Sequence, residues 1–138
     1  MTQAEKSFSI KTTYVVYAPP DKVFEALTNP EIIAAWSGGL SVVELKKGGK
    51  FELFDGWTKG EMLSFKKGKE LSYSWKPNEW NKKTRASVVH YQFREHPAGT
   101  EIIMEHTGIP NQEEKDKHAN GWVDYVFDPL NEYFTSLL

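Results

Sequence analysis

The segment Tyr17–Trp36 constrains the fold more than any other, because two short helices are written into it between a strand-like start and a long series of hairpins. Pro20 suits a first helical position, where its missing N–H costs nothing, and Asp21 suits the positive end of a helix. Val23, Phe24 and Leu27 then make one apolar stripe. Asn29-Pro30-Glu31 stops this helix and starts a second, with Asn29 as the cap and Pro30 in the first turn. Ile32, Ile33 and Trp36 are the inward side chains of the second helix. A chain that places two helices after its first strand, and then strand after strand, has to close a sheet around something.

Alternation of apolar and polar residues predicts strands over 7–17, 40–46, 51–54, 57–65, 70–76, 85–95 and 100–109. Lys47-Gly48-Gly49-Lys50, Asp55-Gly56, Lys67-Gly68-Lys69 and Pro97-Ala98-Gly99 supply the turns. Pro77 to Thr84 is a polar loop holding Trp80, and the alternation in 57–65 is irregular enough to predict a bulge. From Gln112 to about Phe134 the pattern is helical. Consecutive hairpins imply an antiparallel sheet, and the last helix is the one element long enough to cover its apolar face. The expected fold is therefore α+β: a curved antiparallel sheet of about seven strands, two short helices after the first strand, and a long C-terminal helix packed over the sheet. Asp128-Pro129 should either kink that helix near Tyr125 or end it near Phe127, and Gly121 is expected to permit close approach to the sheet. The 138 residues are read as one domain, large enough for a stable core.

Composition excludes several classes of function. With no cysteine there is neither disulfide, thiol catalysis nor cysteine-bound zinc. A net charge of −2 gives no field favouring nucleic acid or an anionic membrane, and the lysines at 46 and 47, at 66, 67 and 69, and at 82 and 83 lie at predicted turns. Met1–Lys6 lacks the apolar core of a signal peptide, and no run is long enough to span a bilayer. A soluble, cytoplasmic protein is expected. Aromatic residues make up 14% of the chain, enough to line a cavity as well as fill a core.

Four segments carry a resemblance that spans nearly the whole chain: Ala18-Pro19-Pro20-Asp21-Lys22-Val23-Phe24-Glu25-Ala26-Leu27-Thr28 with Trp36; Gly48-Gly49-Lys50-Phe51; Lys69 to Trp75; and Gly99 to Gly108, followed by Gly121-Trp122. In their order and spacing they resemble the heat-shock-protein-90 ATPase activator homologue family, within the START-like, helix-grip superfamily that includes the birch pollen allergen. The resemblance implies a cavity between the sheet and the C-terminal helix. The Asp128-Pro129 interruption departs from the family pattern, and Trp57, directly after a turn, has no place on it.

Strand parity turns Phe51, Leu53, Tyr73, Trp75, Tyr91, Met104 and His106 inward, and helical spacing adds Trp122 and Tyr125. These nine are the candidate ligand-binding residues. The aromatic ones can equally be plain core. His106 is a lone polar group on an apolar face: a core histidine hydrogen-bonded internally, a polar group that orients a ligand, or, last in order, an acid–base group. His90 falls on the outer face, His96 in a turn and His118 on a polar helix start. No catalytic residue, metal site or cofactor is assigned, since there is no metal-spaced histidine pair, nucleophile elbow or phosphate loop. Three functions stay open: binding of a small hydrophobic molecule such as a lipid or aromatic compound, a chaperone-interacting module, and a cyclase- or hydrolase-type enzyme. The first is preferred. A chaperone partner is disfavoured because the second domain of the two-domain cochaperone is missing from this sequence, and an enzyme because only one polar candidate faces inward.

Overall fold

In a computed structural model, residues 7–138 are described. The Met1–Lys6 segment, read above as no signal peptide, lies outside the described residues. One antiparallel sheet carries the fold, with strand order β1-β7-β6-β5-β4-β3-β2. Its strands are β1 (Phe8–Val16), β2 (Val42–Val43), β3 (Lys50–Leu53), β4 (Thr58–Lys66), β5 (Glu70–Pro77), β6 (Ser87–His96) and β7 (Gly99–Ile109). Helices α1 (Pro20–Thr28) and α2 (Pro30–Ser37) follow β1, and a helical run from Gln112 to Ser136 closes the chain.

The expected caps form. Asn29 accepts a hydrogen bond from the Glu31 amide at 2.9 Å, and Gly38 ends α2 with a left-handed φ of 75°. Trp36 is tied back to the first helix through its indole N–H, which donates to the Ala26 carbonyl at 2.7 Å. Val23, Phe24 and Leu27 are buried as their spacing requires, with Phe24 set edge-on to Phe93.

Registers confirm the inward parity. Tyr14 pairs with Ile102 and Thr12 with Met104; Tyr91 pairs with both Met104 and Leu71, and Tyr73 with both Val89 and Met62. The irregularity expected in β4 is a register shift between Met62 and Ser64, where Leu63 is the extra residue. The second strand is much shorter than 40–46. It is an edge strand with one neighbour, and the chain on either side bonds instead to turns, as when the Lys46 amide donates to the Glu44 carbonyl.

The C-terminal helix neither kinks as a plain α-helix nor breaks. It runs as α3 (Gln112–Gly121), a π-helical turn over Trp122–Phe127, and α4 (Asp128–Ser136). The Asp128 amide donates to the Val123 carbonyl, five residues back, while Pro129 has no N–H to give. The widened turn therefore sits where proline removes a rung of the helical ladder. Trp122, Val126, Phe127 and Leu130 press onto the sheet, with Phe127 stacked on Tyr14 at 5.3 Å between ring centroids.

Candidate functional site

A pocket of about 400 Å³ opens between the C-terminal helix and the far end of the sheet. Two unusual pieces of backbone bound it. On the sheet side is the β3–β4 turn, where Phe54 (φ 54°), Asp55 (φ 59°) and Gly56 (φ 82°) are left-handed in succession. Glycine is at ease there and aspartate tolerable, but for a bulky residue such as Phe54 the conformation costs about 1–2 kcal/mol. Other contacts hold the turn in place. The Asp55 amide donates to the Leu40 carbonyl at 2.9 Å, the Leu40 amide to the Asp55 carboxylate at 2.8 Å, and the Asn78 side-chain amide to the Gly56 carbonyl at 2.7 Å. The turn carries Phe54 and Trp57 to the pocket.

On the helix side, Gly121, Trp122, Tyr125 and Val126 line the pocket from the start of the π-helical turn. Gly121 does not serve close approach to the sheet, as expected from the sequence. A Cβ there would meet only the Tyr125 ring, at 3.8 Å, so the glycine leaves space open instead. Tyr125 is 67% exposed rather than docked, because the widened turn rotates it toward the mouth.

Trp75 and His118 form the floor, and Glu79, Glu114 and Lys117 the rim. The Trp75 indole N–H donates to His118 Nε2 at 3.1 Å. Indole nitrogen can only donate, so His118 carries its proton on Nδ1 and gives it to the Glu114 carbonyl at 2.8 Å. The Trp80 indole N–H donates to the Glu114 carboxylate at 2.6 Å.

Behind this floor the interior is packed. Trp122 donates through its indole N–H to His106 Nδ1 at 3.1 Å, which forces the His106 proton onto Nε2. Nε2–H then donates to Ser87 Oγ at 2.7 Å, and Ser87 donates onward to the Trp75 carbonyl at 2.7 Å. The Ser87–His106 pair has the spacing of a nucleophile and its base, but the proton is on the wrong side. An Nε2–H imidazole cannot deprotonate the serine. Burial first, and the neighbouring His118 second, push the His106 pKa down to about 3. Tyr73 and Tyr91 share a 2.6 Å hydrogen bond between hydroxyls, and burial raises both phenols, that of Tyr73 well above its usual value.

Residues 17–135 match the family described as activator of Hsp90 ATPase homolog 1-like protein. The chain belongs to this family. It is 27% identical over 126 residues to the human activator of 90 kDa heat shock protein ATPase homolog 1, a match covering 91% of this chain and 36% of the relative. It is also 31% identical over 114 residues to an Hsp90 co-chaperone of Saccharomyces cerevisiae, covering 78% of this chain and 32% of the relative. This chain thus spans about a third of the length of the curated relatives it matches. The crystal structure of an HSP90 activator from Plasmodium falciparum superposes with a TM-score of 0.80 at 29% identity, covering 94% of this chain and 96% of that one. The grip of sheet and C-terminal helix is the fold of this family member.

Of the residues singled out from sequence, Trp75, Trp122 and Tyr125 border the pocket. Phe51, Leu53, Tyr73, Tyr91, Met104 and His106 are buried but line no part of it. They pack on one another, as in the Phe51–Tyr73 stack at 3.7 Å between centroids. Sequence reasoning missed Phe54, Trp57 and His118. His118 is buried, not on a solvated helix start. Stepping back by fours from Trp122 through His118 to Glu114 would have found it, since these share a helix face. Trp57 had no comparable signal, because its direction depends on the left-handed run before it.

Proposed function

We propose that this family member is a small-molecule-binding domain that holds an apolar or aromatic ligand in the pocket lined by Phe54, Trp57, Trp75, His118, Trp122 and Tyr125. One observation carries the reading: an aromatic pocket of about 400 Å³ flanked on one side by a strained left-handed turn and on the other by a π-helical turn. The volume suits a drug-sized ligand, and both backbone features concentrate at functional sites. A cytoplasmic setting is part of this reading, and the physiological ligand is left open.

The test uses the pocket's own tryptophans. Fatty acids, flavonoids and sterols are titrated while intrinsic fluorescence is followed, alongside a Gly121→Leu variant. That side chain would grow into open space from an ordinary helical φ, filling the pocket without disturbing the backbone. Saturable quenching in the native chain and its loss in the folded variant are expected. Equal quenching in both would place the ligand elsewhere.

A second reading, a chaperone-interacting module, is favoured by relatives that are named Hsp90 activators or an Hsp90 co-chaperone. These relatives make a chaperone partner more plausible than the sequence reading allowed. A coupled ATPase assay with purified Hsp90 tests it. Under the ligand-binding reading we expect no stimulation by this chain alone. Clear, saturable stimulation would make this the primary function.

A further inference from the structure

We infer that the pocket selects an organic cation, an ammonium or heteroaromatic cation carried on a flat apolar body, over a neutral or anionic molecule of the same shape. The inference rests on the pocket being a ligand site and adds the ligand's charge. Its first support is the spent state of the wall's donors. The indole N–H groups of Trp75 and Trp122 and the Nδ1–H of His118 are all bonded to protein acceptors. Among the ring N–H groups of the pocket, only that of Trp57 has no protein acceptor among the described residues. An anionic head would therefore lose its water and find one free ring N–H inside, with only the exposed Tyr125 hydroxyl and the already paired Lys117 ammonium as further side-chain donors at the mouth.

The rim points the same way. Its three charged groups are two carboxylates and one ammonium. Lys117 is already engaged, 3.4 Å from Glu114 and 3.6 Å from Glu113, and these carboxylates, Glu114 first, raise its pKa. Glu79 is exposed and has no cationic partner among the described residues. The uncompensated charge at the mouth is thus negative. Inside, the pocket offers indole and phenol rings, whose faces carry the negative part of the ring quadrupole. Trp57 and Trp75 stand edge-to-face at 6.0 Å, and Trp75 and Trp122 tilt together at 5.0 Å, so aromatic surface meets an entering group from more than one direction. Rings around a positive centre, with a carboxylate at the mouth, are how proteins hold quaternary ammonium groups.

The experiment compares three probes on one naphthalene body: (1-naphthylmethyl)trimethylammonium, 1-ethylnaphthalene and 1-naphthaleneacetate. Binding is followed by calorimetry and by the indole N–H resonances of the full chain. The cation should bind about fivefold or more tighter than the neutral probe, and the anion weaker than the neutral one. The preference should shrink as salt rises from low to about 0.3 M, since the mouth is open to solvent. In a Glu79→Gln/Glu114→Gln variant, where glutamine still accepts from Trp80, the ratio of cation to neutral-probe affinity should fall toward one. If no probe binds, the ligand-site reading itself fails. If the neutral probe binds and the cation binds no better, or the double variant keeps the full preference, the ligand-site reading stands and the charge selection is overturned.

Discussion

His106 gives the sharpest prediction, because its protonation state follows from bonds that cannot be reversed. Trp122 must donate to Nδ1, so Nε2 must carry the proton. The folded pKa is pushed from 6.5 down to about 3, first by burial and then by His118. Unfolding releases the ring into water, where it binds a proton below about pH 6.5. The stabilising difference is therefore fully present above pH 6.5 and is lost progressively as pH falls toward 3, where the folded ring itself begins to charge. At about 1.4 kcal/mol per pH unit, acidification from 6.5 to 4.5 should cost about 2–3 kcal/mol through this one group. Two measurements check it. Imidazole carbon shifts of the folded protein should show no His106 titration between pH 7.5 and 4.5. Urea unfolding should show stability falling across that range. In Trp122→Phe the ring is kept but Nδ1 loses its donor. That variant should lose about 1–3 kcal/mol at pH 7 and show a shallower acid slope, since Nδ1 can then take a proton. A His106 titration midpoint near 6.5 in the native chain would refute the tautomer argument and the buried network with it.

Three further outcomes follow from the packed interior and the pocket walls. Tyr73→Phe or Tyr91→Phe alone should cost about 1–3 kcal/mol by leaving a buried hydroxyl unpaired, whereas the double replacement should cost less than the sum, a coupling that a double-mutant cycle in urea reads directly. Trp122→Ala, which removes a ring 2% exposed, should cost about 3–5 kcal/mol; a loss below about 1 kcal/mol would mean the helix is not docked. Phe54→Gly should relieve about 1 kcal/mol of left-handed strain, seen as unchanged or raised thermal stability, while weakening ligand binding. Destabilisation by more than about 2 kcal/mol would show that the packing of the half-buried Phe54 ring against the core outweighs the strain.

What the sequence determined by itself was everything that local period and turn chemistry control. Asn29-Pro30 places the break between α1 and α2 to the residue, and the alternation of Val89, Tyr91 and Phe93 against Ile102, Met104 and His106 fixes which face of the sheet is buried. These signals are local because backbone geometry makes a side chain's direction depend on its near neighbours. The pocket is of another kind. It exists because the left-handed run begins one residue early, at Phe54, where no propensity favours it, and is held there by Leu40 and Asn78. It also needs the helix to widen by one residue at Pro129, which presents Gly121 and Tyr125 to the mouth. Parity could show that Tyr73, Tyr91 and His106 face inward, but not that the two tyrosines would meet hydroxyl to hydroxyl while His106 packs among Trp75, His118 and Trp122. Whether inward-facing side chains fill a space or line it depends on how far apart packing sets the sheet and the helix. That distance is set jointly by residues as far apart in the chain as Trp57 and His118, whose rings stack 6.3 Å apart.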